Sequence, residues 1–286
     1  MTRSSVRRVA LAFAVATALT GVAACTSSAA PDPEGSTAAQ QARAMTALRS
    51  AERSTHRARS VRVRSTTALG SLMSTKAQGT LGWTDGLTGT LTITYTGGST
   101  ADLMRRLDST SLETRYLRDA YYAKVGPAFA RQLGGKHWIR YPYDYLATLG
   151  GGSGAMMTDL MRHTTPNQSV RLLLASGDVR RTGEEQVSGV HATHYSGTVS
   201  VSDLSGESEL RDQLTQAGVG TETVDIWVDD KDLLVKKVEK AATPNGAMTQ
   251  TAYYSDYGVK VTAERPPAGD TEDFRTLLKK QGGTVS

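Results

Sequence analysis

Residues 221–242, TETVDIWVDDKDLLVKKVEKAA, carry the pattern that decides the fold. The first half alternates apolar and polar residues, so Val224, Ile226 and Val228 share one face of an extended chain. The polar residues 229–232, DDKD, interrupt the alternation, and LLVKKVEKAA then resumes it. Two such runs joined by a short polar turn predict a pair of antiparallel strands with one face turned toward a core.

Runs of the same kind recur on both sides of this pair. In TGTLTITY (88–95), for example, Leu91 and Ile93 share one face and threonines share the other. Strands joined by short turns pair antiparallel, and a sheet this long curls. The sequence therefore predicts a curved antiparallel sheet of about 10–11 strands. The further candidate strands are 60–69, 77–83, 88–95, 111–117, 120–125, 178–187, 189–201 and 247–261.

Helical patterns separate these runs. Residues 41–57 place Ala44, Leu48 and Ala51 at helical spacing, which predicts an amphipathic helix. Because helices are the remaining elements that can cover the apolar face of the sheet, the fold class is α+β. Further helices are predicted over 155–163 and 169–175, within the polar stretch 205–218, and weakly near Phe274.

The N-terminus has the form of an export signal. A basic start with Arg3, Arg7 and Arg8 precedes the uncharged apolar run 9–24, which is short for a membrane span. Val22-Ala23-Ala24-Cys25 resembles the lipobox of bacterial lipoproteins, in which the cysteine receives a diacylglyceryl group. We therefore expect a signal peptide at 1–24, lipidation at Cys25 and a flexible tether at 25–40.

This leader sets the expected location, the extracytoplasmic face of the cell membrane. Export through the general secretory route is expected, and Arg7-Arg8 leave the twin-arginine route open. Cys25 is the single cysteine, so no disulfide is expected. Of the net charge of +5, the leader arginines supply +3, and the remaining +2 is too small to indicate nucleic acid binding.

Motifs for catalysis or metal binding are weak. His191 and His194 are three residues apart on a predicted strand, so they face opposite sides and are not expected to share a metal. Residues 130–137, ARQLGGKH, lack the first glycine and the final Ser or Thr of a phosphate loop. No nucleophile elbow stands out. We therefore expect neither an enzyme nor a bound cofactor or metal.

The order of elements resembles the LolA-like lipoproteins, and among them the actinobacterial LppX/LprG type. Besides Cys25, the resemblance rests on YLRDAYYAKVGPAFARQLGGKHWIRY, GVHATHYSGTVSV, VDIWVDDKDLLVKKVEK and YSDYGVKVTAERPP. It covers residues 41–267 and leaves 268–286 as a polar C-terminal tail. It implies a half-barrel whose concave face is capped by helices, and a monomer that holds acyl chains of lipids or glycolipids between the sheet and the helices.

A hydrophobic cavity is the expected binding site. Methionines and leucines between 156 and 174 lie among glycines, and this soft apolar segment is expected over the cavity mouth. Tyr141, Tyr143 and Tyr145 fit either a pocket rim or core packing. The predicted lining is Leu91, Ile93, Tyr122, Trp138, Met156, Met157, Leu160, Met161, Leu172, Leu173, Val224, Ile226 and Val228.

The function predicted from these features is lipid binding by a membrane-anchored lipoprotein, with transfer of lipid or glycolipid to the cell envelope as one use. The alternative is a structural or interaction lipoprotein that docks another envelope protein and carries no lipid. The identity of the lipid does not follow from the sequence.

Overall fold

The computed structural model describes residues 33–146, 148–149, 165–204 and 206–280. Within them one sheet of 12 strands runs in the order β12-β6-β5-β4-β3-β2-β1-β11-β10-β9-β8-β7. Neighbouring strands pair antiparallel except β6 and β12, which are parallel. The strands are β1 Ser60–Leu69, β2 Met73–Gly82, β3 Thr88–Gly97, β4 Ser111–Tyr116, β5 Ala120–Lys124, β6 Trp138–Pro142, β7 Arg180–Val187, β8 Val190–Ser200, β9 Thr221–Asp229, β10 Leu234–Thr243, β11 Gly246–Ser255 and β12 Thr271–Asp273.

Helices fill the gaps between strands. The longest helix, α1, precedes the first strand. Helix α5 lies between β6 and β7 in the chain. Two short 3-10 turns, Val201–Asp203 and Ala268–Asp270, complete the described elements. The helices are α1 Pro33–Ala58, α2 Gly98–Arg106, α3 Pro127–Gln132, α4 Tyr143–Leu146, α5 Pro166–Ala175, α6 Ser208–Gln216 and α7 Phe274–Lys280.

One face of the sheet, called here the helix face, packs against α1 and α5. Leu48 of α1 and Leu173 of α5 are fully buried, and they belong to one core cluster with Val61, Leu91 and Ile226 of the sheet. Helix α1 also packs directly against α5, and α5 contacts β8, β9 and β10. The predicted α+β fold, a curved open antiparallel sheet with helices on its concave face, is confirmed.

The opposite, outer face is crossed by the outer strap, residues 259–267. Backbone carbonyls of the strap accept hydrogen bonds from the sheet at Thr262 (from Thr90 Oγ1, 3.3 Å) and Glu264 (from the Arg115 guanidinium, 2.9 Å). Arg265 forms an ion pair with Asp119 at 2.9 Å. The strap therefore shields one end of the outer face from solvent.

Both predicted ends of the domain need correction. Helix α1 begins at Pro33, inside the expected tether 25–40, because the alanines and glutamines of TAAQQARA favour a continuous helix. Beyond residue 267, the expected polar tail supplies β12 and α7. Glu272 is buried there and Phe274 packs on the core, so the folded unit extends to Lys280.

Three further helices, α2, α3 and the short α4, were not predicted. The sequences of α2, GSTADLMRR, and α3, PAFARQ, begin beside glycine or proline, which favoured a loop interpretation. Helix 169–175 is confirmed as the greater part of α5. The predicted helix 155–163 lies outside the described residues.

Candidate functional site

The candidate site is the helix face of the sheet, part of which is covered by helices α1 and α5. The structure brings seven of the predicted lining residues together there, from three separate parts of the chain. Six are buried core residues, and the seventh, Ile93, is half-buried and packs against them. These seven are Leu91, Ile93, Leu172, Leu173, Val224, Ile226 and Val228.

Much of this interface is tightly packed. Leu173, Val224 and Ile226 have no solvent-accessible surface, so each contacts protein on all sides. A side chain of that kind does not border a void that could hold a water molecule or an acyl chain. In this conformation these three residues form the floor of the core, and space for a ligand has to be sought elsewhere on the helix face.

Accessible apolar surface remains at the other end of the central strands. Strand alternation and register place six half-buried, mostly apolar side chains on the helix face there, on β1, β2, β3 and β11, and the polar side chains Ser65, Thr67, Thr75 and Gln250 lie between them. We call them the half-buried strip. Ile93 and Met248 pack against the core cluster, so the strip is continuous with it. The strip consists of Leu69, Met73, Ala77, Ile93, Tyr95 and Met248.

Tyrosine rings line the helix face beside the strip. Tyr116 meets Tyr121 edge to face with ring centroids 5.1 Å apart, and Tyr121 lies 5.8 Å from Tyr141. Tyr141 in turn lies 4.8 Å from Phe274. Burial raises the pKa of Tyr121 well above its ordinary value and that of Tyr141 to about 12, so these phenols stay neutral. Neutral rings with polar tips can border an apolar ligand without introducing charge.

Two predicted lining residues, Tyr122 and Trp138, are on the wrong face. Successive side chains of a strand point to opposite sides, and Tyr121 occupies the helix face of β5. Tyr122 instead faces Arg265 of the outer strap, and Trp138 lies under the Arg115 guanidinium at 4.5 Å. The sequence AYYA is apolar on both sides of the strand because the strap covers the second side. The pattern alone therefore did not show whether Tyr121 or Tyr122 faces the helices.

The four predicted methionine and leucine positions Met156, Met157, Leu160 and Met161 lie outside the described residues, as does Cys25. Their assignment to the cavity mouth and to lipidation therefore stays a prediction. Of the tyrosines that fitted either a rim or the core, Tyr143 is buried in the core cluster. Tyr145 is partly exposed, with Arg275 above its ring at 5.0 Å.

A buried ionic cluster under α5 was missed by the sequence analysis. Lys237 Nζ and Glu239 Oε2 are 2.7 Å apart on the helix face of β10, and Ser169 Oγ of α5 donates to Glu239 Oε1 at 2.5 Å. Glu222 of β9 is buried beside them. An irregularity in pairing between Leu234 and Lys236 lets charged residues of KKVEK face the helices.

Desolvation by burial, together with the neighbouring Glu239, raises the pKa of Glu222 to about 8, although Lys237 opposes the change. At neutral pH the cluster is therefore dominated by the Lys237–Glu239 pair and a protonated Glu222. Buried charges of this kind need partners, and Ser169 provides one from the helix side. The cluster thus ties α5 to one register on the sheet.

His191 and His194 do not share a site. His191 Nδ1 lies 2.9 Å from Asp230, and His194 Nε2 lies 2.9 Å from Asp225 on the other face of β8. Across the described ranges, no three His, Cys, Asp or Glu side chains gather in a way that could hold a metal ion. No helix in the described part of the chain is long and apolar enough to span a membrane.

Comparison with known proteins supports a lipoprotein family. No family model matches the chain. It is 52% identical to the "Putative lipoprotein SCO4650" of Streptomyces coelicolor, over 99% of this chain and 100% of that protein. It is 49% identical to a 31.2 kDa protein of the rplA-rplJ intergenic region of Streptomyces griseus, over 83% of this chain and 81% of that protein.

Among solved structures, the chain is similar to the lipoprotein LppX of Mycobacterium tuberculosis. The TM-score is 0.51 at 15% sequence identity, and the match covers 78% of this chain and 99% of that chain. At this identity the likeness concerns the fold, namely the open sheet with helices on one face.

Proposed function

We propose, from the premise that this chain belongs to the same lipoprotein family as SCO4650 of Streptomyces coelicolor, that it binds the acyl chains of a lipid on the helix face of its sheet. The likeness to LppX supports the fold on which this proposal depends. The proposed function is binding, and it assigns no catalysed reaction to the chain.

The observation that carries the proposal is the half-buried strip. A core residue is normally closed off by its neighbours, whereas Leu69, Ile93 and Met248 keep part of their apolar surface accessible at the border of the buried core. Each acyl methylene buried against such surface contributes about 0.8 kcal/mol. An acyl chain laid along the strip would therefore bind without directional contacts.

We also propose that the protein is held at the outer face of the cytoplasmic membrane through a diacylglyceryl group on Cys25, after removal of residues 1–24. Two acyl chains anchor a protein far more firmly than one. Anchoring keeps the protein close to the membrane and favours hand-over of cargo there, in transfer to the cell envelope.

Uptake of a fluorescent fatty acyl probe tests the acyl site. Ile93→Asp places a charge on the strip and should lower uptake at least tenfold, since an acyl chain cannot solvate a carboxylate. Thr249→Asp is the control, because it places the same charge next to the strip residue Met248 but on the outer face of β11, and it should bind normally.

Ala77→Phe provides a second variant that fills the strip without charge, in case Ile93→Asp fails to fold. Circular dichroism melting checks folding of all three variants. Undiminished uptake by folded Ile93→Asp or Ala77→Phe would remove the strip from the binding site. Native mass spectrometry of the purified protein would show whether a lipid co-purifies, which is the result we expect.

A further inference from the structure

A groove of about 770 Å³ lies on the outer face of the sheet, on the side away from α1 and α5. Its floor is formed by the central strands β1, β2, β3, β10 and β11, and one wall by the tip of the β7–β8 hairpin. The hairpin contributes residues 185–188. The groove has the volume of an ordinary small-molecule site.

The strand register places the floor side chains in two neighbouring rows. One row runs Lys236, Tyr253, Arg64, Gln78 and Thr92, each directly opposite the next on adjacent strands. Adjacent strands are about 5 Å apart, so the Cα atoms of Lys236 and Arg64, two strands apart, are separated by about 10 Å. The second row runs Thr66, Lys76 and Thr94.

Three cations line this groove: Arg64, Lys76 and Lys236. Within the described residues, none of the three has a carboxylate within 4.0 Å, although many other arginines of the chain are paired. The acidic residue of the lining is Glu185, which already accepts a hydrogen bond from Trp227 Nε1. The groove therefore carries more positive than negative charge.

Lys236 is held in place by an aromatic stack. Its Nζ lies 3.7 Å from the centroid of the Trp227 ring. The other side of that ring carries His194, stacked at 4.1 Å and 8°. Trp227 also binds Glu185 of the hairpin, so one side chain positions both a cation and a wall of the groove.

Hydroxyl groups surround the cations. Thr66, Thr92, Thr94 and Thr96 line the groove together with Tyr253. Threonine hydroxyls both donate and accept hydrogen bonds, which suits the hydroxyls of a polyol as well as phosphate oxygens. Tyr253 is 37% exposed and offers a ring face for the apolar side of such a group.

We propose that this groove is a second binding site, specific for a phosphate group attached to a polyol. Arg64 and Lys76, which lie on adjacent strands, bind the phosphate oxygens through charge-assisted hydrogen bonds. Lys236 adds positive charge at the Trp227 end of the groove, and the threonine rows bind the adjoining hydroxyls. The site lies on the opposite face from the half-buried strip and does not depend on acyl-chain binding. Such a group occurs both in lipid head groups and in free metabolites.

Isothermal titration calorimetry on the purified full-length protein in nonionic detergent tests the site. The probes are glycerophosphoglycerol, which is the deacylated head group of phosphatidylglycerol, then inorganic phosphate and uncharged glycerol. The double variant Arg64→Gln/Lys76→Gln should weaken glycerophosphoglycerol binding at least tenfold. The control Lys231→Gln/Lys240→Gln removes the same charge outside the groove and should bind normally.

The probes separate the sources of the ligand. Tighter binding of glycerophosphoglycerol than of inorganic phosphate, lost in the groove variant alone, supports a site for a phosphate attached to a polyol. Cosedimentation with phosphatidylglycerol vesicles, lost in the same variant, then identifies a lipid head group as the source, and binding of glycerophosphoglycerol without cosedimentation identifies free compounds. Equal binding of glycerophosphoglycerol and inorganic phosphate overturns the specificity for a polyol. The proposal is overturned if neither anion binds, if glycerol binds as well as the anions, or if both variants weaken binding equally. Folding of each variant is checked by its melting temperature.

Discussion

Glu222 is a carboxyl group enclosed between the sheet and the helices, where water cannot solvate its charge. Its pKa of about 8 means that the folded protein holds a proton that the unfolded chain loses near its ordinary value of 4.5. Because the folded state then binds more protons, stability falls as the pH rises from about 4.5 toward 8 and levels off above that.

Glu222→Gln should therefore stabilise the protein by roughly 1–3 kcal/mol at pH 8 and leave its stability almost unchanged at pH 4. Urea unfolding at the two pH values measures the difference. Glu207 is a half-buried carboxylate paired with Arg171, and Glu207→Gln is the comparison. It should not show the gain in stability at pH 8. A pH-independent effect of Glu222→Gln would show that Glu222 does not titrate as described.

A second prediction at the scale of single residues concerns lipidation of Cys25. Cys25→Ala removes the acceptor thiol, so metabolic labelling with an alkyne-bearing palmitate should fall to background and the protein should leave the membrane fraction. Thr26→Ala, the next residue, is the control and should keep the label. Labelling of Cys25→Ala would place the lipid on another residue.

Among the elements, β2 and β3 approach each other closely at a glycine. A Cβ on Gly79 would lie 2.0 Å from the carbonyl oxygen of Thr90, which is less than any tolerated contact. Gly79 is paired with Leu91, so the large side chain fills the space that the glycine leaves on the helix face. This strand pair therefore requires glycine for backbone contact and leucine for packing.

Gly79→Ala should lower the free energy of unfolding by more than about 2 kcal/mol, because the strands have to separate to admit the methyl group. Chemical denaturation measures it. Gly86→Ala tests the same substitution in a turn where an added Cβ meets nothing within 4 Å, and its smaller cost would reflect its positive φ of 92° alone. Similar costs at both positions would argue against the close approach.

At the scale of the whole molecule, the C-terminal residues cover the β6 edge of the open sheet. Glu272 is bound by Lys136 at 3.1 Å, Asp273 by Arg140 at 3.0 Å, and Phe274 packs on Tyr141. These contacts join segments about 130 residues apart along the chain and cover an edge strand that would otherwise be open.

Truncation after Pro267 should lower the melting temperature by several degrees or cause aggregation, since β12 and α7 are lost together. Truncation after Lys280 retains every described element and should leave the melting temperature nearly unchanged. If the shorter chain is as stable as the longer one, residues 268–280 are a tail after all.

Much of the fold follows from local pattern. Alternation in residues such as Val224, Ile226 and Val228 identifies strands, and the short polar turns between them require antiparallel pairing. Periodicity likewise identifies α1 through Ala44, Leu48 and Ala51, which are all buried. These features are determined within about ten residues of sequence, so the sequence alone sufficed for the fold class, whereas the lining of a lipid site stays a prediction.

The tertiary structure decided which face each side chain serves when both faces are covered. Tyr122 points to the outer strap, where Arg265 contacts it. Lys237 and Glu239 point to α5, where Ser169 donates a hydrogen bond to Glu239. In both cases the contacting segment is distant in sequence. Strand register likewise places the groove cations Arg64, Lys76 and Lys236 on one face of the sheet. Local sequence fixes the period of a strand, whereas the partners that arrive from elsewhere in the chain fix its environment.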